Sequence, residues 1–327
     1  MLGFVFRRVL HLVPVLLGVS LLSFVLLSLA PGDFLSSMEM DPLVSKETIQ
    51  EMRSRFALDR SWPEQFAGWF TSILLRFDFG HSFSRHLPVS VVMREAIGNT
   101  LLLTVSGAFI TWLVAIPLGV LCALKRGGAT DRLASVAAYA GISMPEVLLA
   151  LLAILLAAKT GLFPIGGARS LEFESLSAHG KLLDVGRHLL LPALVLSAAP
   201  AAARMRQMRA NMLDVLGSDF VTAGRARGLS ERRVIMVHAL RNALNPMITL
   251  FGYTVAGLLS GTFIVEVVMG WPGLGRVTFE ALLARDVYLV MGSLVMAACM
   301  LVAGNLAADL LLAAADPRVR FSKGIER

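Results

Sequence analysis

Residues 219–246 read Asp219-Phe-Val-Thr-Ala-Gly-Arg-Ala-Arg-Gly-Leu-Ser-Glu-Arg-Arg-Val-Ile-Met-Val-His-Ala-Leu-Arg-Asn-Ala-Leu-Asn-Pro246, a basic polar stretch set between two long apolar runs. Gly228 divides it where a left-handed backbone would end one helix, and Ser230 is placed to cap the next. The expectation is two short helices, Asp214 to Arg227 and Ser230 to Asn245-Pro246, meeting at a sharp corner. Around that corner Ala223, Gly224, Ala226 and Gly228 carry almost no side-chain bulk. Arg225, Arg227, Arg232, Arg233 and Arg241 surround it with positive charge, while Val234, Ile235, Val237, Leu240 and Leu244 can bury one face. The arginines alone would suit a solvated loop on the positive side of a membrane. A knuckle of small residues with a charged rim also lets another protein's surface approach the backbone, as a docking device must.

The rest of the chain explains why such a loop stands alone. Hydrophobic residues make up 56% of it, charged residues 16%, and its mean hydropathy is +0.71, far from the usage of a soluble domain. A hydrocarbon core about 30 Å thick needs roughly 20 apolar residues of helix. Six stretches qualify or nearly do: about 9–30, 100–124, 133–158, 188–210, 247–269 and 288–315. The fourth is the least clear, because its uncharged part is short and it must extend to Arg204, Arg206 and Arg209, whose stems can snorkel toward a polar interface. The first begins after Arg7-Arg8 like a signal peptide. Its apolar run is too long for one, however, and Ala30-Pro31-Gly32-Asp33 offers no small-residue cleavage pair. Cys122 and Cys299 fall inside apolar runs and read as packing residues.

With the N-terminus inside, the segments 1–8, 125–132, 204–246 and 316–327 hold 17 of the 30 Lys and Arg, and the outside segments hold 13 in 116 residues. Acidic residues run the other way, 6 inside and 14 outside. Both ends are therefore expected in the cytoplasm. The net charge of +7 follows from this asymmetry and gives no reason to expect nucleic-acid binding. In the long outer loop, about 31–99, Phe66, Trp69, Phe70, Ile73, Leu74 and Phe77 form one apolar helical stripe, suited to packing on the bundle or to the membrane interface.

Glu146, Glu266 and Asp309 fall within or near the ends of these spans, where a charge is by default a functional hypothesis. Each has a packing alternative. Glu146 follows a natural break at Ser143-Met144-Pro145 and would favour the positive end of a helix. Glu266 precedes Gly270-Trp271-Pro272-Gly273, suggesting the outer interface or a gate, and Asp309 stands one turn after Asn305, as in a helix-packing network. Gly257 and Gly261 form a G-x-x-x-G that permits close helix approach, within the chain or between subunits. The six histidines show no metal spacing, so no metal is assigned.

In order along the chain stand Arg7-Arg8 with Pro14 and Gly18; Ala30-Pro31-Gly32-Asp33; Asp78-Phe79-Gly80-His81-Ser82; Pro117-Leu118-Gly119; the 219–246 loop; Trp271-Pro272-Gly273-Leu274-Gly275; and Asp316-Pro317-Arg318-Val319-Arg320. Together, nearly end to end, they resemble the dipeptide/oligopeptide permease family of binding-protein-dependent ABC importers. Two positions depart from its pattern: Thr222-Ala223-Gly224 where the general loop motif has Glu-Ala-Ala, and Phe77 where the family usually has Gly.

The resemblance implies an all-α polytopic membrane protein of type I importer fold, with six transmembrane helices and a long extracytoplasmic loop after the first. It divides the chain into 1–99, the first helix and outer subdomain; 100–315, the transmembrane core with a coupling loop at about 211–246; and a tail, 316–327. Thr222, Ala223, Gly224, Arg225, Ala226, Arg227, Gly228, Leu229 and Ser230 would dock an ATPase. The implied partners are a second homologous permease, two ABC ATPases, an extracytoplasmic substrate-binding protein and the bilayer of a bacterial or archaeal cell membrane. ATP and Mg would be used by the ATPases, since no G-x-x-x-x-G-K-[ST] occurs here, and no cofactor by this chain. Di- or oligopeptides are the expected cargo, with nickel or another small solute as the alternative. An ion-coupled secondary transporter would call for paired broken helices in two repeated halves, and an intramembrane enzyme for a nucleophile and base on facing spans. The sequence marks neither.

Overall fold

The computed structural model describes residues 2–29, 35, 45–55 and 59–315, and the side chains of these except 2–13, 28, 52, 55, 249 and 308–315. The tail 316–327 and the Ala30-Pro31-Gly32-Asp33 motif lie outside the described residues. The described chain is almost entirely helical: α1 Leu2–Leu29, α2 Lys46–Arg55, α3 Trp62–Arg76, α4 Val89–Leu124, α5 Ala129–Ser143, α6 Glu146–Thr160, α7 Ala178–Leu216 and α8 Asp219–Ala226. A single α-turn, Glu231–Arg233, and a π-helical stretch, Val234–Ala239, then lead into α9 Leu240–Val268, α10 Leu274–Leu283 and α11 Val287–Ala315. Before α4, β1 (His81–Ser82) pairs antiparallel with β2 (Leu87–Pro88), His81 opposite Pro88.

A helix stands at each of the six apolar stretches, but not all are simple spans. Helices α4 and α7, α9 from Leu250 and α11 as far as Ala307 are long and apolar enough to cross a membrane. The third stretch is a pair, α5 and α6, bent by 106°. Proline is the cause: a residue before proline is pushed out of the helical region, and Met144 (φ −81°, ψ 124°) and Pro145 (φ −59°, ψ 135°) are both extended. In α1 the apolar part among residues with described side chains, Pro14–Leu27, is shorter than a full span. The fourth helix is longer than the 188–210 expected. Ser177 caps its start by accepting the Gly180 N–H at 3.2 Å, and Pro192 and Pro200 are accommodated inside it. At 1.5 Å per residue it is about 58 Å long.

The chain forms two compact units, Met1–Thr100 with Pro272–Val302, and Leu101–Trp271 with Ala303–Arg327. In the first, Val89, Met93 and Ala96 of α4 pack on Leu274, Val277 and Ala281 of α10 and on Leu289 and Val290 of α11. The hairpin is fixed to the start of α11 by Asp286, which is fully buried. Its Oδ2 accepts the Ser82 hydroxyl (2.6 Å), the Ser84 N–H (2.9 Å) and the Ser84 hydroxyl (2.8 Å), and its Oδ1 accepts the Leu289 N–H at 3.2 Å. In the second unit, Ala150, Ala153 and Ala157 of α6 give a small-residue face to a core containing Leu191, Val195 and Leu196 of α7 and Leu258 and Val265 of α9. Val105, Phe109 and Leu113 of α4 and Leu151 and Leu155 of α6 are exposed, the arrangement a lipid solvent favours.

The three arginines at the end of the fourth stretch find partners in this unit, Arg204 and Arg209 half-buried and Arg206 exposed. Arg204 Nε donates to the Thr254 hydroxyl at 3.0 Å, Arg206 lies over the Tyr139 ring at 4.2 Å, and Arg209 grips Asp131 with two bonds of 2.6 and 2.8 Å.

Candidate functional site

The polar loop emerges from α7 with one more break than expected. Helix α7 stops at Gly217, and Ser218 is extended (φ −80°, ψ 152°), so α8 begins at Asp219 rather than running unbroken from Asp214. Helix α8 then ends in a complete Schellman turn. The Gly228 N–H donates to Arg225 O (2.9 Å) and the Leu229 N–H to Gly224 O (3.3 Å), with Gly228 at φ +77°. The Leu229 methyl Cδ1 lies 3.7 Å from the point where a β-carbon on Gly224 would be, ordinary contact that closes the turn's apolar side.

Ser230 is extended (φ −61°, ψ 140°) and its carbonyl accepts the N–H groups of Arg233 and Val234, so the next helical segment starts there. Its hydroxyl makes no capping bond. Across the corner Arg225 holds Glu231 with two hydrogen bonds, Nε to Oε2 at 3.1 Å and Nη2 to Oε1 at 2.7 Å. This guanidinium holds the Glu231 carboxyl below the usual carboxylate range. The pairing escaped the sequence reading because a spacing of six residues marks no contact on a continuous helix.

The corner presents the expected residues. Thr222, Ala223, Arg225, Ala226, Arg227, Gly228 and Ser230 are exposed, and Gly224 and Leu229 are half-buried. Its inner side is anchored: Val221 and Val234 are fully buried, in one cluster with Ala239, Ala243 and Met247 and with Met208 and Met212 of α7. Val237, expected on that buried face, is 52% exposed. The wider π turn over Val234–Ala239 rotates it outward, away from the position an α-helical spacing assigns. The second segment also runs past its expected end, with Pro246 inside α9 rather than closing the loop.

Beneath the anchor, α4 and α7 approach closely at Gly119. A β-carbon there would sit 2.7 Å from Met205 O and 2.7 Å from Met208 Cβ, so only glycine fits the Pro117-Leu118-Gly119 motif at this contact. The corner is thus an exposed knob whose inner side packs on α7.

Two of the three intramembrane acids have described side chains, and they stand in different surroundings. Glu146, half-buried at the first turn of α6, opens on a cavity of about 270 Å³ whose walls include Met144, Leu149, Leu196, Pro200, Gly257 and Gly261. Within the chain the glycine pair of α9 lines this space: nothing lies within 4 Å of a β-carbon on Gly257, and one on Gly261 would meet Leu196 Cδ1 at 3.7 Å, ordinary contact. Glu266 is fully buried, a packing environment rather than an open surface. The side chain of Asp309 lies outside the described residues. Cys122 is fully buried and Cys299 half-buried, both as free thiols.

Two family models match the chain: the binding-protein-dependent transport system inner membrane component over residues 115–321, and the N-terminal part of the same membrane component over residues 1–106. Among curated proteins it is 36% identical to the oligopeptide transport system permease protein AppB of Bacillus subtilis (strain 168), across 98% of this chain and 100% of the relative. It is 34% identical to the dipeptide transport system permease protein DppB of Escherichia coli (strain K12), across 99% and 100%. Among solved structures it resembles an inward-facing conformation of the MetNI methionine ABC transporter, with a TM-score of 0.53 and 16% identity over 69% of this chain and 97% of that one. At that identity the likeness concerns the fold, which is that of an ABC transporter permease. The chain belongs to the family of inner membrane components of binding-protein-dependent transport systems.

Proposed function

We propose that the chain is the permease subunit of an ATP-driven importer of di- or oligopeptides, paired with a second, similar permease and driven by two separate ATPase subunits. The observation that carries this reading is the corner at Thr222–Ser230: small exposed residues around a left-handed glycine, ringed by arginines and anchored through Val221 and Val234 to α7. Closure of the ATPases would push on that knob, and α7 would carry the displacement into the membrane as a rigid-body switch. Energy has to come from such a partner, because the sequence has no phosphate-cradling G-x-x-x-x-G-K-[ST]. A substrate-binding protein would deliver cargo from the outer side. The oligopeptide and dipeptide permeases that the chain resembles along its whole length support peptides as that cargo.

Uptake of radiolabelled peptides into proteoliposomes holding both permeases, the ATPases and the binding protein tests the assignment. ATP-dependent accumulation of a diverse peptide set is the expected result. Uptake of nickel or another small solute without any peptide uptake would overturn the peptide assignment and leave the importer reading in place.

The orientation has its own test. With both ends cytoplasmic, as the Lys and Arg asymmetry favours, single cysteines at Ser45 and Ser177 should react with an impermeant thiol reagent added outside sealed cells, and one at Ser230 should not. All three positions are exposed on the chain, so none is shielded by its own fold. Labelling of Ser230→Cys from outside would reverse the orientation and remove the ATPase-docking role from the corner.

A further inference from the structure

Helix α3 buries one apolar side and leaves a second one open. The buried side is Phe66, Trp69, Phe70 and Ile73: Phe66 meets Phe24 of α1 edge-on with ring centroids 5.7 Å apart and stacks on Phe70 at 5.8 Å. The same cluster includes Met291 and Val295 of α11, and Trp69 Nε1 donates to Phe79 O at 3.1 Å. Phe24 lies five residues before α1 ends at Leu29, and Val295 eight residues after α11 begins at Val287. At 1.5 Å per residue these points are about 8 and 12 Å inside the two helix ends. One apolar helix ends near where the other begins, and α3 is held against both about one to two turns inside those ends.

From Gln65 through Leu75 the helix has no charged residue. Its outward side there presents Ala67, Gly68, Thr71, Leu74 and Leu75, with Leu74 62% and Leu75 80% exposed. The helix then ends on Phe77, in the left-handed conformation (φ 53°, ψ 30°) with its side chain 79% exposed. That conformation disfavours any residue but glycine, and the Phe77 ring recovers nothing from the chain itself. Leaving the helical path also throws Phe77 off the buried stripe on which the sequence spacing placed it. In water three large apolar side chains on one strained tip would be an unrelieved cost, whereas lipid accepts all three. Asp59, Arg60 and Glu64 mark the opposite, watery end, and Arg76 can extend its guanidinium toward headgroups.

We infer that α3 is an interfacial membrane helix whose tip, Leu74, Leu75 and Phe77, inserts among lipid acyl chains while its start at Asp59–Glu64 stays in water. The tip would brace the outer subdomain against the bilayer and fix the height of the β1–β2 hairpin that follows. The inference requires only that the chain is membrane-embedded and does not depend on its cargo.

The test uses full-length permease with Cys122→Ala and Cys299→Ala, carrying an environment-sensitive fluorophore on Leu75→Cys or, as reference, on Asp59→Cys. Each is reconstituted into vesicles with or without acyl-chain-brominated lipids. The Leu75 probe should show blue-shifted emission that bromolipids quench and aqueous iodide leaves unchanged, and the Asp59 probe the reverse. Iodide quenching at Leu75 equal to that at Asp59 would overturn the inference. So would a Leu75 probe that neither quencher reaches, which would mean that protein rather than lipid covers the tip. Because Leu75 and Phe77 are both exposed, a probe on Phe77→Cys repeats the reading without disturbing the buried stripe.

Discussion

Replacing Asp286 with alanine should destabilise the unit that contains it by about 3 to 5 kcal/mol, the range for leaving several buried groups without their charged partner. Four bonds end on this carboxylate, from Ser82, from Ser84 twice and from the Leu289 N–H in the first turn of α11. Alanine would strip the N-cap of α11 and unfasten the hairpin in one step. Asparagine separates the two effects. Its amide oxygen can still accept from Ser82 and Ser84, but its NH₂ would then face the Leu289 N–H, donor to donor. Its cost should be that of a lost cap, about 1 kcal/mol. Thermal unfolding of the purified permease in lipid nanodiscs should therefore rank wild type above Asp286→Asn and Asp286→Asn above Asp286→Ala. Identical midpoints for all three would show that the carboxylate does not hold the hairpin.

Asp286 also shows where sequence reasoning stops. Its partner Ser82 is 204 residues away, and no periodicity or motif relates two positions so far apart. The same limit hid the true start of α4. Hydropathy places the second span at 100, but the helix begins at Val89, because Val89, Met93 and Ala96 are covered by α10 and α11 despite Arg94 and Glu95 on the other side.

Features fixed by local chemistry were legible. Pro145 broke the third stretch because its effect on the preceding backbone is steric. Gly228 took a left-handed turn between two helical segments because a glycine after a helix-forming run is the least costly way to end it. Intermediate cases failed in instructive ways. The apolar stripe of α3 packs on the chain through Ile73; Leu74, still inside the helix, faces outward beyond the covered side, and Phe77 leaves the stripe because the helix has ended at Arg76. Val237 was misplaced because nothing in composition marks the π stretch that turns it outward.

The corner itself gives the other large effect expected here: Gly228→Glu should abolish coupled transport, and Gly228→Ala should leave most of it. Both variants place a β-carbon at φ +77°, so both carry the same left-handed strain, about 1 to 2 kcal/mol. Neither clashes within the chain, since nothing lies within 4 Å of that β-carbon. They differ only in what projects outward: a methyl group, or a flexible side chain bearing negative charge at the centre of an arginine-ringed knob. Against water the difference is negligible, because the site is exposed and both chains should insert and unfold alike. Against a docked ATPase surface it should reach at least about 2 kcal/mol, the scale of disrupting a central interface contact, or roughly 30-fold in affinity. The measurements are the fraction of ATPase retained when the assembled transporter is purified through the permease, and the cargo-stimulated ATP hydrolysis of that preparation. The glutamate variant should lose both and the alanine variant neither. If the two variants behave alike, the loss comes from backbone strain or is absent altogether, and Gly228 is then the corner of a loop that no ATPase touches.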